Sequence, residues 1–333
     1  MNLRAILTKA LKSRKFQFAI VALIFVAVLP LFVRSQYIVG HVLTSMIIFA
    51  LYASSWNLLA YSGQGSLGHA AFLGIGGFAS ALLARAFLPP VLGLFVGGLI
   101  SAGVGLLVGL ACVRLKSWFL AMVTFGFSVI IVTIFIQFDS VFKGMIGFPT
   151  SSFLPQVLPF YYGTLAITTA SIVAIFWVMS SKWGFAFKAI RENELEAKMI
   201  GINTAKYRLL AFIISTFFAG LAGGLLAESQ LFIQNDIFSA ENSFLPLIMA
   251  VIGGLGTMEG PIIGAIVIVA IDSFAPLAHV GSAVQFVGLG LFLILVVIFL
   301  PKGITSLLPK LYKYLSEGET KNKQKDKDKV MEK

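Results

Sequence analysis

The chain has 333 residues, of which 58% are hydrophobic and only 12% charged, and its mean hydropathy is +0.95. Soluble globular proteins carry about 25% charged residues, so this composition excludes a water-soluble globule. A formal net charge of +11 suggests a nucleic-acid binder at first, but nine of the 25 Lys/Arg lie from Lys302 onward and five precede Phe16. Those blocks flank apolar runs, which marks them as membrane-surface and orientation signals, so no nucleic-acid partner is expected. A single cysteine, Cys112, rules out a disulfide within the chain and any multi-cysteine metal site. The histidines (His41, His69, His279) are too scattered for a metal cluster, and neither metal nor cofactor is expected.

A bilayer core of ~30 Å takes about 20 apolar residues of helix per crossing. By that measure the predicted fold is all-α, a polytopic transmembrane helical bundle of about ten segments. In chain order they are 17–34, 38–60, 66–87, 91–113, 118–138, 161–181, 207–229, 244–255, 261–277 and 284–300. The first follows a basic start, 1–16, in the manner of a secretory signal, but no small-x-small site precedes Arg34, so it reads as a retained span. The third begins inside a Gly/Ser-rich stretch. The eighth is short enough to be a half-helix or a re-entrant piece. The end of the chain, 301–333, is basic and its last part has too few apolar residues to bury a core, so disorder is expected there.

Loop charge sets the orientation. With the N-terminus in the cytoplasm and sides alternating, 22 of the 25 Lys/Arg fall inside, leaving Arg34, Arg85 and Lys143 outside. The positive-inside rule is then satisfied and both termini are cytoplasmic.

One inside connection, 182–206, is too long and too helix-forming for a linker. At 100° per residue, Ala186, Ala189, Ile190, Ala197 and Ile200 share a face with Asn193, while Leu195, Met199 and Ile202 lie opposite beside Lys188 and Arg191. Lys188–Glu192 and Glu194–Lys198 are i,i+4 pairs, and Gly201 supplies a stop. The spacing predicts a rigid helix over 186–202, one face on its own bundle and the other on a partner protein. A helix resting on the lipid surface is the competing interpretation.

Three stretches together resemble one family. The first is Trp56-Asn57-Leu58-Leu59 running into Gly63-Gln64-Gly65-Ser66-Leu67-Gly68-His69-Ala70-Ala71-Phe72 and Gly74-Ile75-Gly76-Gly77. The second is Arg191-Glu192-Asn193-Glu194 through Gly201-Ile202-Asn203 to Tyr207. The third is Gly253-Gly254-Leu255-Gly256-Thr257, then Gly260-Pro261 and Gly264. In this order they resemble the LivM-like permeases of branched-chain amino acid ABC importers, over most of 38–300.

That resemblance implies a bacterial inner-membrane, multi-pass permease subunit without catalytic residues. It also implies a second related permease, two ATP-binding cassette ATPases and an extracytoplasmic substrate-binding protein. The second stretch then resembles the EAA coupling loop that docks on the ATPase, here Arg191, Glu192, Asn193, Glu194, Leu195, Glu196, Ala197, Met199 and Gly201. The sequence departs from the general EAA-x3-G form, since the three positions before the spacer read Leu195-Glu196-Ala197. No G-x-x-x-x-G-K-[ST] occurs anywhere, so ATP phosphates find no P-loop in this chain. Branched-chain or other hydrophobic amino acids are the implied cargo; urea, short amides and other small solutes are carried by similar permeases.

Glycine stretches allow close helix approach or an unwound backbone along a cavity, and paired interrupted segments can mark a transport path. The candidate pathway or gate residues are Asn57, Gln64, Ser66, Gly68, His69, Gly253, Gly254 and Gly256. For each glycine plain packing competes, and His69 fits a hydrogen-bonded core residue as readily as a substrate ligand. Asp272 reads as interfacial, and Glu228, Asp236 and Glu241 as an acidic, solvated outer loop. An ATP-independent secondary transporter or channel is the alternative class; it calls for buried ionisable groups along the path.

Overall fold

The computed structural model describes residues 14–33, 35–86, 88–112, 115, 117–143, 146–274, 282–300 and 303–307. Most of the two basic ends, 1–13 and 308–333, lies outside them, and so do the expectations of a solvated start and a disordered tail. Every apolar segment expected from the sequence forms a helix. The helices are α1 (Arg14–Phe32), α2 (Thr44–Tyr61, entered through a π-helical turn, Ile38–Leu43), α3 (His69–Ala86), α4 (Pro90–Cys112), α5 (Ser117–Gln137) and α6 (Val157–Ser180). After the connection come α9 (Thr204–Gln230), α10 (Ala240–Gly253), α11 (Gly260–Phe274) and α12 (Ser282–Phe299), with α7 (Lys182–Glu192) and α8 (Glu194–Met199) in between. Among the described residues six of them, α2 with its π turn, α3, α4, α5, α6 and α9, are long and apolar enough to cross a membrane by length and composition. At 1.5 Å per residue the 14-residue α10 falls well short of a ~30 Å core.

In a π turn the carbonyls accept from the residue five positions on, which widens the helix. Thr44 Oγ1 adds a side-chain bond across it, donating to Val39 O at 2.9 Å. From there α2 is buried along nearly its whole length because it lies between two bodies. On one side α3, α4 and α9 share the largest apolar cluster with it, around Phe72, Phe78, Phe212 and Leu225. On the other, Ala50 and Ala53 pack against Met249 of α10, Ala265 and Ile268 of α11 and Val296 of α12.

Small residues permit the α3–α4–α9 contact. A Cβ at Gly76 would run into the backbone of Gly220, and one at Gly97 would meet Gly76 O. Backbones this close gain dispersion contacts that lipid cannot supply. The apolar faces left outward, such as Met122, Val129 and Ile130 of α5 and Leu106, Leu107 and Leu110 of α4, suit hydrocarbon.

At one end of the bundle a short antiparallel pair, β1 (Phe148–Pro149) with β2 (Phe232–Ile233), ties the α5–α6 connection to the residues after α9. Arg85 sits 5.9 Å over the Phe148 ring at this end. Beneath the pair lies Glu228, which corrects the expectation of a solvated acidic loop. It belongs to α9 and is 3% exposed, its Oε2 accepting from Phe153 N at 3.1 Å. The folded-back 148–153 segment covers it, a long-range effect that its neighbours in sequence do not signal.

Candidate coupling loop and gate

The connections after α2, α4, α6, α10 and α12 gather at the opposite end, the grouping expected from the charge alternation. Gln64 Nε2 donates to Arg208 O at 2.9 Å, Arg208 Nη1 donates to Leu115 O at 3.5 Å, and Gly303 packs on the backbone of Gly254.

The 182–206 connection departs from the single rigid helix predicted over 186–202. Its helix breaks at Asn193, whose backbone is extended (φ −156°, ψ 111°). Asn193 Oδ1 accepts from Leu195 N (3.0 Å) and Glu196 N (3.4 Å), and its Nδ2 donates to Glu196 Oε1 at 2.6 Å. An asparagine that satisfies the free N–H groups of a new helix favours starting one over continuing the old.

The consequence is two short helices set at an angle. Ala186, Phe187 and Ile190 of α7 and Ala197 of α8 face the bundle. Ile200, expected on that buried face, is instead 74% exposed, beside Leu195 at 71% and Met199 at 86%. Gly201 ends the unit at φ +85°, with Ile202 N donating to Ala197 O at 3.0 Å. Asn203 Oδ1 then caps α9 through Lys206 N at 3.0 Å.

Charge holds the pair in place. Glu194 accepts from Lys198 at 2.8 Å and pairs with Arg208 at 3.2 Å, and Thr204 Oγ1 donates to it at 3.3 Å. The Lys198 hydrogen bond first, then the Arg208 charge, keeps the Glu194 carboxyl below its ordinary value against the opposing effect of partial burial. Lys188 and Glu192 form the other expected pair, at 3.8 Å on the surface.

Arg191 is the junction. Its backbone lies against Gly63, where an added Cβ would sit 3.0 Å from Arg191 Cα, and its guanidinium fills the space that a Cβ would take at Gly256. Gly63 (φ +75°) and Gly256 (φ +74°) both occupy the left-handed region, so glycine is needed there on two counts. A residue of the 182–206 loop thus touches the first and third glycine stretches together.

Asn57 completes the junction from inside α2. At 2% exposure its Nδ2 donates to Thr257 O at 2.7 Å and its Oδ1 accepts from Gly256 N at 2.9 Å. One amide therefore clasps both polar groups of a loop some 200 positions away. Nearby, Trp56 Nε1 donates to Ser66 O at 2.8 Å, fixing the stretch before α3. That stretch is non-helical as far as Gly68, so α3 starts three residues later than expected, and Gly68 closes directly on Thr124 O of α5.

Gly253 closes in the same way on the backbone of Gly260, joining the end of α10 to the start of α11. Gly254 between them carries φ +134° and donates its N–H to Ala250 O at 2.9 Å. Ser66 is buried with its hydroxyl unpartnered among the described residues.

His69 lies deeper, fully buried, stacked on Tyr52 and edge-on to Phe72. Ser55 Oγ spends its one proton on Tyr52 O (2.7 Å), so the 3.1 Å contact with His69 has Nε2–H donating.

The structure thus brings Arg191, Asn57, Gly63, Gly254 and Gly256 into one junction and leaves Leu195, Met199 and Ile200 facing outward. His69 and Ser66 sit apart, one layer in. Arg208 and Thr257 complete the set, although neither is a residue type that sequence spacing picks out.

The family profile described as "Branched-chain amino acid transport system / permease component" matches residues 38–300, a span that includes α2 to α12 and every residue of the junction. The chain belongs to this permease family. Among curated relatives, the high-affinity branched-chain amino acid transport system permease protein LivM of Salmonella typhimurium is 27% identical, over 92% of this chain and 78% of its own length. The protein of the same name from Escherichia coli is 28% identical over 75% of this chain and 66% of its own. The Escherichia coli permease protein LivH is 28% identical over 40% of this chain and 43% of its own. No solved structure matches the chain significantly. As a member of a permease family with six apolar helices of spanning length among the described residues, the chain is a multi-pass membrane transport protein.

Proposed function

We propose that this permease is one membrane subunit of an ATP-driven importer of branched-chain or other hydrophobic amino acids, powered by a separate ATPase. The observation that carries the proposal is the outward-facing trio Leu195, Met199 and Ile200 on a loop whose inner side grips both glycine turns through Arg191. A purely lipid-resting helix needs no such inward connection. Movement imposed on α7 and α8 by a docked partner has a direct route to Gly63 and to the Gly254–Thr257 turn, and through Asn57 to α2. Rocking of α10 and α11 against α2 in response is the expected means of alternating access.

In this proposal residues 17–300 form the permease domain, crossed by about ten segments, and 182–206 is its coupling loop. The basic ends 1–16 and 301–333 both lie in the cytoplasm of a bacterium whose inner membrane holds the bundle. The relatives carrying the names LivM and LivH support pairing with a second permease of the same kind. Two ATPase subunits and an extracytoplasmic binding protein complete the assembly. Asn57, Gln64, Ser66, Gly68, His69, Gly253, Gly254 and Gly256 are then gate residues, with Asn57 and Gly256 at the hinge.

Co-purification with a candidate second permease and ATPase subunits, followed by reconstitution in liposomes, tests this. ATP-dependent uptake of leucine, isoleucine or valine with the cognate binding protein is the expected result. Uptake by this chain alone, indifferent to ATP, would replace the proposal with a secondary transporter.

A further inference from the structure

A recess lies away from the junction, on the side of the bundle. It is an open hollow of about 360 Å³ between α4, α6 and α9, and its walls are apolar, including Leu99, Ala102, Ala174, Trp177, Trp183 and Phe217. Its position follows from the chain. Leu99 and Phe217 stand near the middle of their helices, whereas Trp177 lies close to the end of α6 and Trp183 follows it in the first turn of α7. The recess therefore runs from mid-height to the end that carries the basic connections. Leu99 and Trp177 are exposed, so it opens sideways.

In a bilayer such an opening faces hydrocarbon. Water gains nothing from walls without polar partners. The volume equals that of roughly a dozen water molecules, the scale of a single flexible chain. Tryptophans collect at the headgroup level of membranes, and two stand at the wide end here, with the exposed Lys182 adjoining Trp183 in sequence.

We infer that this recess is a binding site for one acyl chain of an anionic phospholipid, with Trp177 and Trp183 at the headgroup level and Lys182 supplying charge there. The bound chain braces the first turn of α7 against α4 and α9. The inference stands on the membrane-embedded bundle and is independent of the coupling role proposed above.

Native mass spectrometry of the full chain, released from detergent after purification with phosphatidylglycerol, reads occupancy directly. Wild type is expected to retain one phospholipid, and Ala174→Trp, which fills the recess, to lose it. Lys182→Ala is expected to lower the preference for phosphatidylglycerol over phosphatidylethanolamine by roughly fivefold while keeping a lipid bound. A wild-type chain free of lipid, or an Ala174→Trp chain as occupied as wild type, overturns the assignment. Should Ala174→Trp fail to fold, nanodiscs with brominated-acyl phosphatidylglycerol give an independent reading. Quenching of tryptophan emission is expected to fall in Trp183→Phe relative to wild type, and unchanged quenching counts against the site.

Discussion

Replacing Gly256 by alanine separates two effects that meet at one atom. The backbone there has φ +74°, and an L-residue in that region costs about 1–2 kcal/mol. The new methyl also takes the space of the Arg191 guanidinium. That group is the far end of a flexible side chain, so it can swing away at small cost in stability but leaves its seat. Gly256→Ala is therefore expected to lower unfolding stability by about 1–2 kcal/mol, a few degrees in Tm, and to reduce transport per ATP hydrolysed by much more than that loss explains. Arg191→Ala alone is expected to leave Tm nearly unchanged, since Arg191 is exposed, yet to reduce coupling similarly. In the double variant the stability loss should equal that of Gly256→Ala, while the coupling loss should be no greater than in either single variant, a non-additivity that marks a shared contact. The assay is thermal unfolding of the purified transporter beside its ratio of uptake to ATP hydrolysis in liposomes. Fully additive coupling losses in the double variant would refute a common Arg191–Gly256 contact.

Other expectations follow from single contacts. Asn57→Ala removes two hydrogen bonds to the Gly256–Thr257 turn. Side-chain bonds between membrane helices are worth about 0.6 kcal/mol on average, with a maximum near 1.7, so a loss of about 1–3 kcal/mol is expected in thermal unfolding. Thr133→Val, whose hydroxyl serves only its own helix at an exposed position, is the neutral control. Gly68→Ala drives a methyl into Thr124 O, whereas Gly65 has open space around its Cβ position; folded yield should drop for the first and hold for Gly65→Ala. For Glu194, a depressed carboxyl pKa stabilises the fold above the ordinary carboxylate range, and the contribution disappears as pH falls through the depressed value. The Tm difference between wild type and Glu194→Gln should thus be constant at neutral pH and shrink on acidification, and a pH-independent difference would argue against the Lys198–Glu194–Arg208 group.

The segments were legible because hydrocarbon imposes one rule, twenty apolar residues per crossing, and α2 to α6 and α9 obey it. The loop was legible in its residues but not in its shape. Averaging over 100° per residue smooths across Asn193, although the Asn193–Glu196 pair carries a helix-start pattern that a local reading of caps would have found. Ile200 was misplaced for the same reason, because a break upstream rotates everything after it. Asn57 meeting Thr257, Arg191 seated on Gly256 and Glu228 covered by the 148–153 segment were beyond reach. Each is a contact between distant stretches, fixed by helix packing and by no local preference. The glycines were recognisable as close-approach points, yet only the packed bundle separates Gly76, which admits a helix, from Gly256, which admits an arginine.

Exposure of Leu195, Met199 and Ile200 leads to the most direct test of ATPase docking. With the buried Cys112 replaced by alanine, Met199→Cys in the membrane-inserted permease without its ATPase is expected to react with a membrane-impermeant maleimide only from the cytosolic side. Bound to the ATPase subunits it should be shielded, and it should cross-link to one of them. Labelling from the external side, or equal reactivity with and without the ATPase, would contradict the coupling role of this loop.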